Sequence, residues 1–174
     1  MEEIIREEEG FTVRTNKDTY RTANILLAIG RRGTPRKLGA PGEDHPKVVY
    51  RLIEPAQYAG KHVLVVGGGD SALEAALDIA AEAGSTVTLS YRGKAFDRVK
   101  PKNRARLEDA VAAGRIRQIL ESTVKAIEPD RVLLKVGDDV QPLANEAIIV
   151  CAGGELPTPM LKKIGIRVEA HYGT

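Results

Sequence analysis

Two kinds of hydrophobic pattern follow one another along this chain. Phe11–Thr15 reads Phe, Thr, Val, Arg, Thr, the period-two alternation of a half-buried strand. Asn16-Lys17-Asp18 is turn chemistry, and Tyr20 to Ile29 resumes as a second strand with Ile25, Leu26 and Leu27 as its apolar run. The segment predicts a β-hairpin. The pattern then breaks at Gly30-Arg31-Arg32-Gly33-Thr34-Pro35 and at Gly39-Ala40-Pro41-Gly42, a Gly/Pro-rich connector. Val48 to Tyr58 reads as a short helix.

The second pattern begins at Lys61. Lys61–Val66 is short, apolar and β-branched, as expected of a strand buried on both faces. Asp70 to Ala83 puts Leu73, Ala76 or Leu77, Ala80 and Ala83 on one helical face, with Gly84 where a C-cap belongs. Thr86 to Tyr91 is the next strand. Residues 61–91 therefore predict a β-α-β unit, with a parallel pair and a right-handed crossover. Lys102 to Ala113 predicts a second helix closed by Gly114, with Leu107, Ala110 and Val111 inward. Ile116–Glu121, Thr123–Ile127 and Val132–Val136 follow as short strands, and Asp138-Asp139 as a turn. Ala147–Ala152 is another strand buried on both faces, ending in Gly153-Gly154.

Composition narrows the function classes. The chain has 174 residues, 43% apolar and 29% charged, which excludes a disordered chain. Its 26 basic and 24 acidic residues leave a net charge of +2, too small to argue for nucleic acid or an acidic membrane. Cys151 is the single cysteine, so an intramolecular disulfide, a CxxC pair and a Cys-rich zinc site are excluded. No apolar run approaches the roughly 18 residues that span a bilayer. The first nine residues carry five glutamates and one arginine, the reverse of a secretory signal, so the cytoplasm is the expected location. His45, His62 and His171 have no metal-like spacing, so no metal site and no side-chain acid or base is expected.

The candidate chemistry lies at the end of the first buried strand. Gly67-Gly68-Gly69-Asp70-Ser71-Ala72 is G-x-G-x-x-A, placed after a strand, at the opening of a helix and inside a β-α-β unit. Gly67 permits the tight turn. Gly69 lets a pyrophosphate approach the backbone, and Ala72 lets helix and strand pack closely. The helix N-terminus adds free N–H groups and a positive dipole end. The bland alternative is a tight βα turn in a domain that binds nothing. A nicotinamide site of the NAD type places Asp or Glu at the end of the next strand. Here that end is Leu89-Ser90-Tyr91-Arg92, and Arg98 and Lys100 follow. A guanidinium suits a phosphate by charge and fork geometry, which favours NADP with its 2′-phosphate. Tyr91 is either a surface for the adenine or ordinary strand surface. Gly153 and Gly154 fall at the carboxyl edge of the sheet, where such folds bind ligands. Cys151, in an apolar strand, reads as a small core residue.

These residues resemble a known family. Val65–Ala76 resembles the NADPH-binding fingerprint of thioredoxin-reductase-like flavoproteins. Tyr91-Arg92, followed by Phe96 and Arg98, resembles that family's 2′-phosphate motif HRR-x-x-x-R, with Tyr91 for the histidine and Gly93 for the second arginine. Leu27–Gly30, Pro35 and Gly39–Glu43 resemble the exit from an FAD domain, and Cys151–Gly154 the strand end of the return. Lys47 to Gly60 lacks the cysteine pair of thioredoxin reductases, so the chain is more similar to ferredoxin–NADP reductase-like or bacillithiol-disulfide-reductase-like branches.

The resemblance implies an α/β fold. It would be a Rossmann-like three-layer nucleotide-binding domain at 44–154 with a small antiparallel β-meander. A remnant β-hairpin of an FAD domain would precede it at 1–43, and 155–174 would begin the return. It further implies a part of a flavin-dependent enzyme in which NADPH passes hydride to FAD held by a domain in cis, with the 174 residues alone inactive. The final electron acceptor is left unnamed, and the resemblance leaves room for a homodimer of the full-length protein. A different class, a non-catalytic NADP(H)-sensing module, would share the same glycine loop.

Overall fold

The computed structural model describes residues 2–28 and 34–169. It divides into two compact units, one of residues 1–34 with 154–174, the other of residues 35–153. The sequence expectation puts the domain boundaries at 43/44 and 154/155. The connector belongs to the second unit because it is tied there. Pro41 C=O accepts the Ile127 N–H at 2.9 Å. The buried Glu43 carboxylate accepts the N–H groups of Leu38 and Gly39 at 2.5 and 2.8 Å and the Tyr50 hydroxyl at 2.9 Å.

In the first unit β1 (Glu3–Glu7), β2 (Gly10–Arg14) and β3 (Thr19–Thr22) form an antiparallel sheet in that order. The expected hairpin is present as β2–β3, with two corrections. β1 precedes it: its glutamates hide an alternating strand in which Ile4 is buried. And β3 stops at Thr22, whose hydroxyl donates to Asn24 C=O at 2.9 Å. Ile25-Leu26-Leu27 is not a strand, and Leu26 is 92% exposed. Ile29 and Gly30 lie outside the described residues, as do Arg31, Arg32, Gly33 and His171.

The chain crosses to the second unit at β4 (Thr34–Pro35). The core there is a five-stranded parallel sheet of β5 (Val48–Val49), β6 (His62–Val66), β7 (Thr86–Ser90), β8 (Ile116–Ile119) and β12 (Ala147–Val150), ordered β5-β12-β6-β7-β8. Helices α1 (Asp70–Ile79) and α2 (Pro101–Ala112) cover one face; β9 (Ser122–Ile127), β10 (Arg131–Val136) and β11 (Asp139–Ala144) form the antiparallel meander. The continuous apolar run of β6 now has its reason. Val63 and Val65 point to the helices, packing with Leu73, Ala76 and Leu107. Leu64 and Val66 point to the meander, packing with Ile127, Val132 and Leu134. Burial of one such aliphatic side chain is worth roughly 1.5–3 kcal/mol, so each strand residue stabilises one layer or the other. β13 (Gly154–Glu155) and the six-residue α3 (Thr158–Lys163) return to the first unit.

Other expectations shift in detail. Val48–Tyr58 is not a helix: Val48-Val49 pairs with Ile148-Ile149, and only Pro55–Tyr58 forms a 3-10 turn. α1 ends at Ile79 rather than Ala83, because Ser85 Oγ donates to the Ile79 and Glu82 carbonyls and draws the chain into a turn. α2 does close at Gly114, with paired bonds from Gly114 N–H to Val111 C=O and from Arg115 N–H to Ala110 C=O, both 2.9 Å. β11 had no hydrophobic period to reveal it. It is an almost wholly exposed edge strand that tolerates Pro142, and its turn is Gly137-Asp138 rather than Asp138-Asp139.

Candidate nucleotide-binding site

The glycine loop sits at the carboxyl end of β6, beside the end of β12. Gly67 has φ +155°, and a Cβ there would lie 2.5 Å from Cys151 C=O and 3.0 Å from the Ala72 Cβ. Its freedom is therefore required by the packing of the fold itself. Gly69 is different. It caps α1 from extended backbone, and a Cβ built on it meets nothing within 4 Å. The space in front of Gly69 is open, as a phosphate approaching the backbone needs. Gly69 C=O already accepts the Ala72 and Leu73 N–H groups. The N–H groups of Gly69, Asp70 and Ser71 donate to nothing among the described residues, so they are the free donors of the helix end. The Ser71 side chain is exposed and that of Ala72 fully buried against the core.

The span 91–100 carries the cations. Arg92 and Arg98 are exposed, and neither makes an ion pair or side-chain hydrogen bond among the described residues. Tyr91 is half-buried, with its ring stacked on Phe96 at 5.2 Å between centroids. A Cβ on Gly68 or Gly93 would run into that ring. The Tyr91 ring thus touches both its own loop and the glycine loop, and packs against the helix-side core. One oxygen of the Asp70 carboxylate is engaged by the start of α2. This Oδ1 accepts the Lys100 N–H at 3.0 Å and the Asn103 amide at 2.7 Å, which hold the Asp70 pKa below the usual carboxylate value.

At the end of β12, Cys151 N–H donates to Val66 C=O at 2.7 Å. Its thiol packs against the helix-side core, and burial pushes its pKa up to about 11. Gly153, at φ +83°, accepts the Arg36 N–H at 3.1 Å. Gly154 belongs to the first unit. Among the described residues no group of three or more His, Cys, Asp or Glu side chains is placed to hold a metal ion. No helix among them is long and apolar enough to cross a membrane.

Residues 1–172 match the model of the pyridine nucleotide-disulphide oxidoreductase family. The chain belongs to this family. It is 32% identical over 165 residues to the bacilliredoxin reductase Bdr of Bacillus subtilis, covering 94% of this chain and 51% of that protein. To a ferredoxin–NADP reductase of Ignicoccus hospitalis it is 34% identical over 159 residues, covering 86% of this chain and 50% of the other. A crystal structure of Lactococcus lactis thioredoxin reductase superposes with a TM-score of 0.75 at 26% identity, over 96% of this chain and 56% of that one. The chain spans about half the length of the curated relatives it matches. The expected resemblance and the α/β Rossmann-like architecture are therefore correct. One detail of the motif needs correction: strict HRR-x-x-x-R spacing puts the last arginine at 97, where Asp97 stands, and Arg98 is one residue further.

Sequence reasoning missed Asn103. It is buried in the first turn of α2, and its amide joins Asp70 to Glu74 (3.0 Å). The available signal was an asparagine, a poor helix former, inside a predicted helix.

Proposed function

We propose that this chain is the NADPH-presenting part of a flavin-dependent oxidoreductase. The pyrophosphate would sit on the free N–H groups of Gly69, Asp70 and Ser71, and the 2′-phosphate on Arg92 and Arg98. The observation that carries the reading is Gly69: open space in front of a bare backbone, at a helix N-terminus, at the carboxyl edge of a parallel sheet. When bound, NADPH supplies the hydride and FAD accepts it, so the chemistry belongs to the cofactors. This chain's residues bind and orient. The helix end holds the diphosphate, Arg92 and Arg98 meet the second charge, and Gly153 leaves the sheet edge unobstructed at its own Cα. No proton has to be held by a side chain. The named relatives, a bacilliredoxin reductase and a ferredoxin–NADP reductase, support the redox class and the nucleotide. A flavin partner in cis and an electron acceptor complete the proposal.

Titration calorimetry tests it. NADPH should bind more tightly than NADH by about tenfold to a hundredfold, the value of one charge-assisted hydrogen bond at roughly 1.5–3 kcal/mol. Gly69→Val should fold and bind neither nucleotide. Equal affinities would remove the role of the arginines; normal binding by a folded Gly69→Val would remove the whole reading. NADPH binding by a natural full-length protein that carries no flavin would favour the sensing module instead.

A further inference from the structure

The two halves of the proposed site belong to different stretches of chain, and one buried side chain joins them. Asn103 is 6% exposed, in the first turn of α2. Its Nδ2 donates to Asp70 Oδ1 at 2.7 Å and to Glu74 Oε1 at 3.0 Å. Asp70 is the first residue of α1, and Glu74 lies one turn along it. The same Asp70 oxygen accepts the Lys100 N–H at 3.0 Å, at the residue that caps α2. The span 91–100 is thus pinned at its far end to the helix whose N-terminus faces the glycine loop. Its near end is fixed by β7 and by the Tyr91 ring against Gly68. Between those anchors lie Arg92 and Arg98, exposed and without side-chain partners among the described residues.

We propose that Asn103 is a positioning residue for nucleotide choice: its clamp on Asp70 and Glu74 holds the arginine loop at a fixed place relative to the glycine loop. The proposal rests on the nucleotide-binding reading above. Its logic is geometric. A carboxylate pair on α1 needs a donor between its members, and an amide with two N–H donors supplies one to each. A guanidinium recognises a phosphate by a fork of fixed geometry, so its value falls steeply when the backbone beneath it is free to move. The backbone donors at Gly69, Asp70 and Ser71 do not need the clamp, because they are fixed by the packing of α1 on the sheet. Loosening the clamp should therefore be felt by the 2′-phosphate and hardly at all by the pyrophosphate.

The test uses the 174-residue chain, with Asn103→Leu and Asn103→Asp. The first removes the donors. The second keeps the shape and sets a third carboxylate against Asp70 and Glu74. Calorimetry with NADPH and NADH, and amide hydrogen exchange of the free protein, are measured on both. The expected result is about a tenfold loss of NADPH affinity, NADH affinity changed less than about twofold, and faster exchange at Lys100 and through 92–99 in either variant that remains folded. An equal loss for both nucleotides, with exchange raised across α1 and the sheet, would make Asn103 a stability residue only and overturn the proposal. Unchanged NADPH affinity would do the same. Failure of the unmodified chain to bind either nucleotide would sink the nucleotide-binding reading, and faster exchange confined to 92–100 would still register the clamp.

Discussion

The loops at 67–72 and 91–100 meet where the Tyr91 ring lies on Gly68, yet they are built by different means. The first is made of backbone. Its turn is fixed by the packing of Gly67 on the Cys151 carbonyl and on Ala72, and its free groups are N–H donors. The second is made of side chains. It holds its shape through a Tyr91–Phe96 stack, a bond from Arg104 to Phe96 C=O and the Asp70–Asn103 clamp, and it offers guanidinium groups. Backbone sites tolerate little change at one or two glycines and much elsewhere. Side-chain sites fail gradually, through residues that never touch the ligand.

Substitutions that cross this divide sharpen the comparison. The largest effect belongs to Gly67→Ala, where a Cβ meets backbone that cannot move and φ is +155°. Destabilisation of about 3 kcal/mol or more is expected by thermal or urea unfolding, within the range of strained, overpacked sites. Next is Gly68→Ala, whose Cβ would run first into the Tyr91 ring, a side chain rather than backbone. Loss of about 2 kcal/mol is expected, and in Tyr91→Ala the same glycine change should cost far less. A double-mutant cycle reads the coupling. Additivity would show that Tyr91 does not join the loops.

These same contacts explain what the sequence could and could not reveal. The β-α-β unit was legible because Val63–Val66, Leu73 and Ala76 each face a layer they must be apolar to meet. Gly67 and Gly69 were legible because strand, turn and helix are local. β1 was obscured by glutamates whose hydrocarbon stems share a strand with the buried Ile4. Val48-Val49 takes its strand character from Ile148-Ile149, a hundred positions along the chain, and no local period encodes that. In the site, no local pattern reveals that the Tyr91 ring lies where a Cβ on Gly68 or Gly93 would stand. Nor does any local pattern encode the bonds from Lys100 and Asn103 to the Asp70 carboxylate, which join positions 30 and 33 residues apart.

The smallest effect is expected at Cys151, which lies under the backbone loop but outside its chemistry. Cys151→Ala should cost about 1 kcal/mol in stability and nothing in nucleotide affinity. Burial raises the thiol from 9.0 to about 11. The protonated form is the one the fold prefers, so this group's contribution to stability should decline as pH rises from 9.0 towards about 11. Alkylation at pH 8 should be slow, since the thiolate is the nucleophile. Rapid labelling blocked by NADPH would instead bring Cys151 into the site.

The most direct test follows the backbone amides by nuclear magnetic resonance while NADPH, and separately NADH, is titrated into the chain. The amides of Gly69, Asp70 and Ser71 should move most with both nucleotides, and the resonances of Arg92 and Arg98 should move strongly with NADPH alone. Shifts confined to other parts of the chain, or an arginine loop that responds equally to both nucleotides, would contradict the assignment of a backbone half to the diphosphate and a side-chain half to the 2′-phosphate.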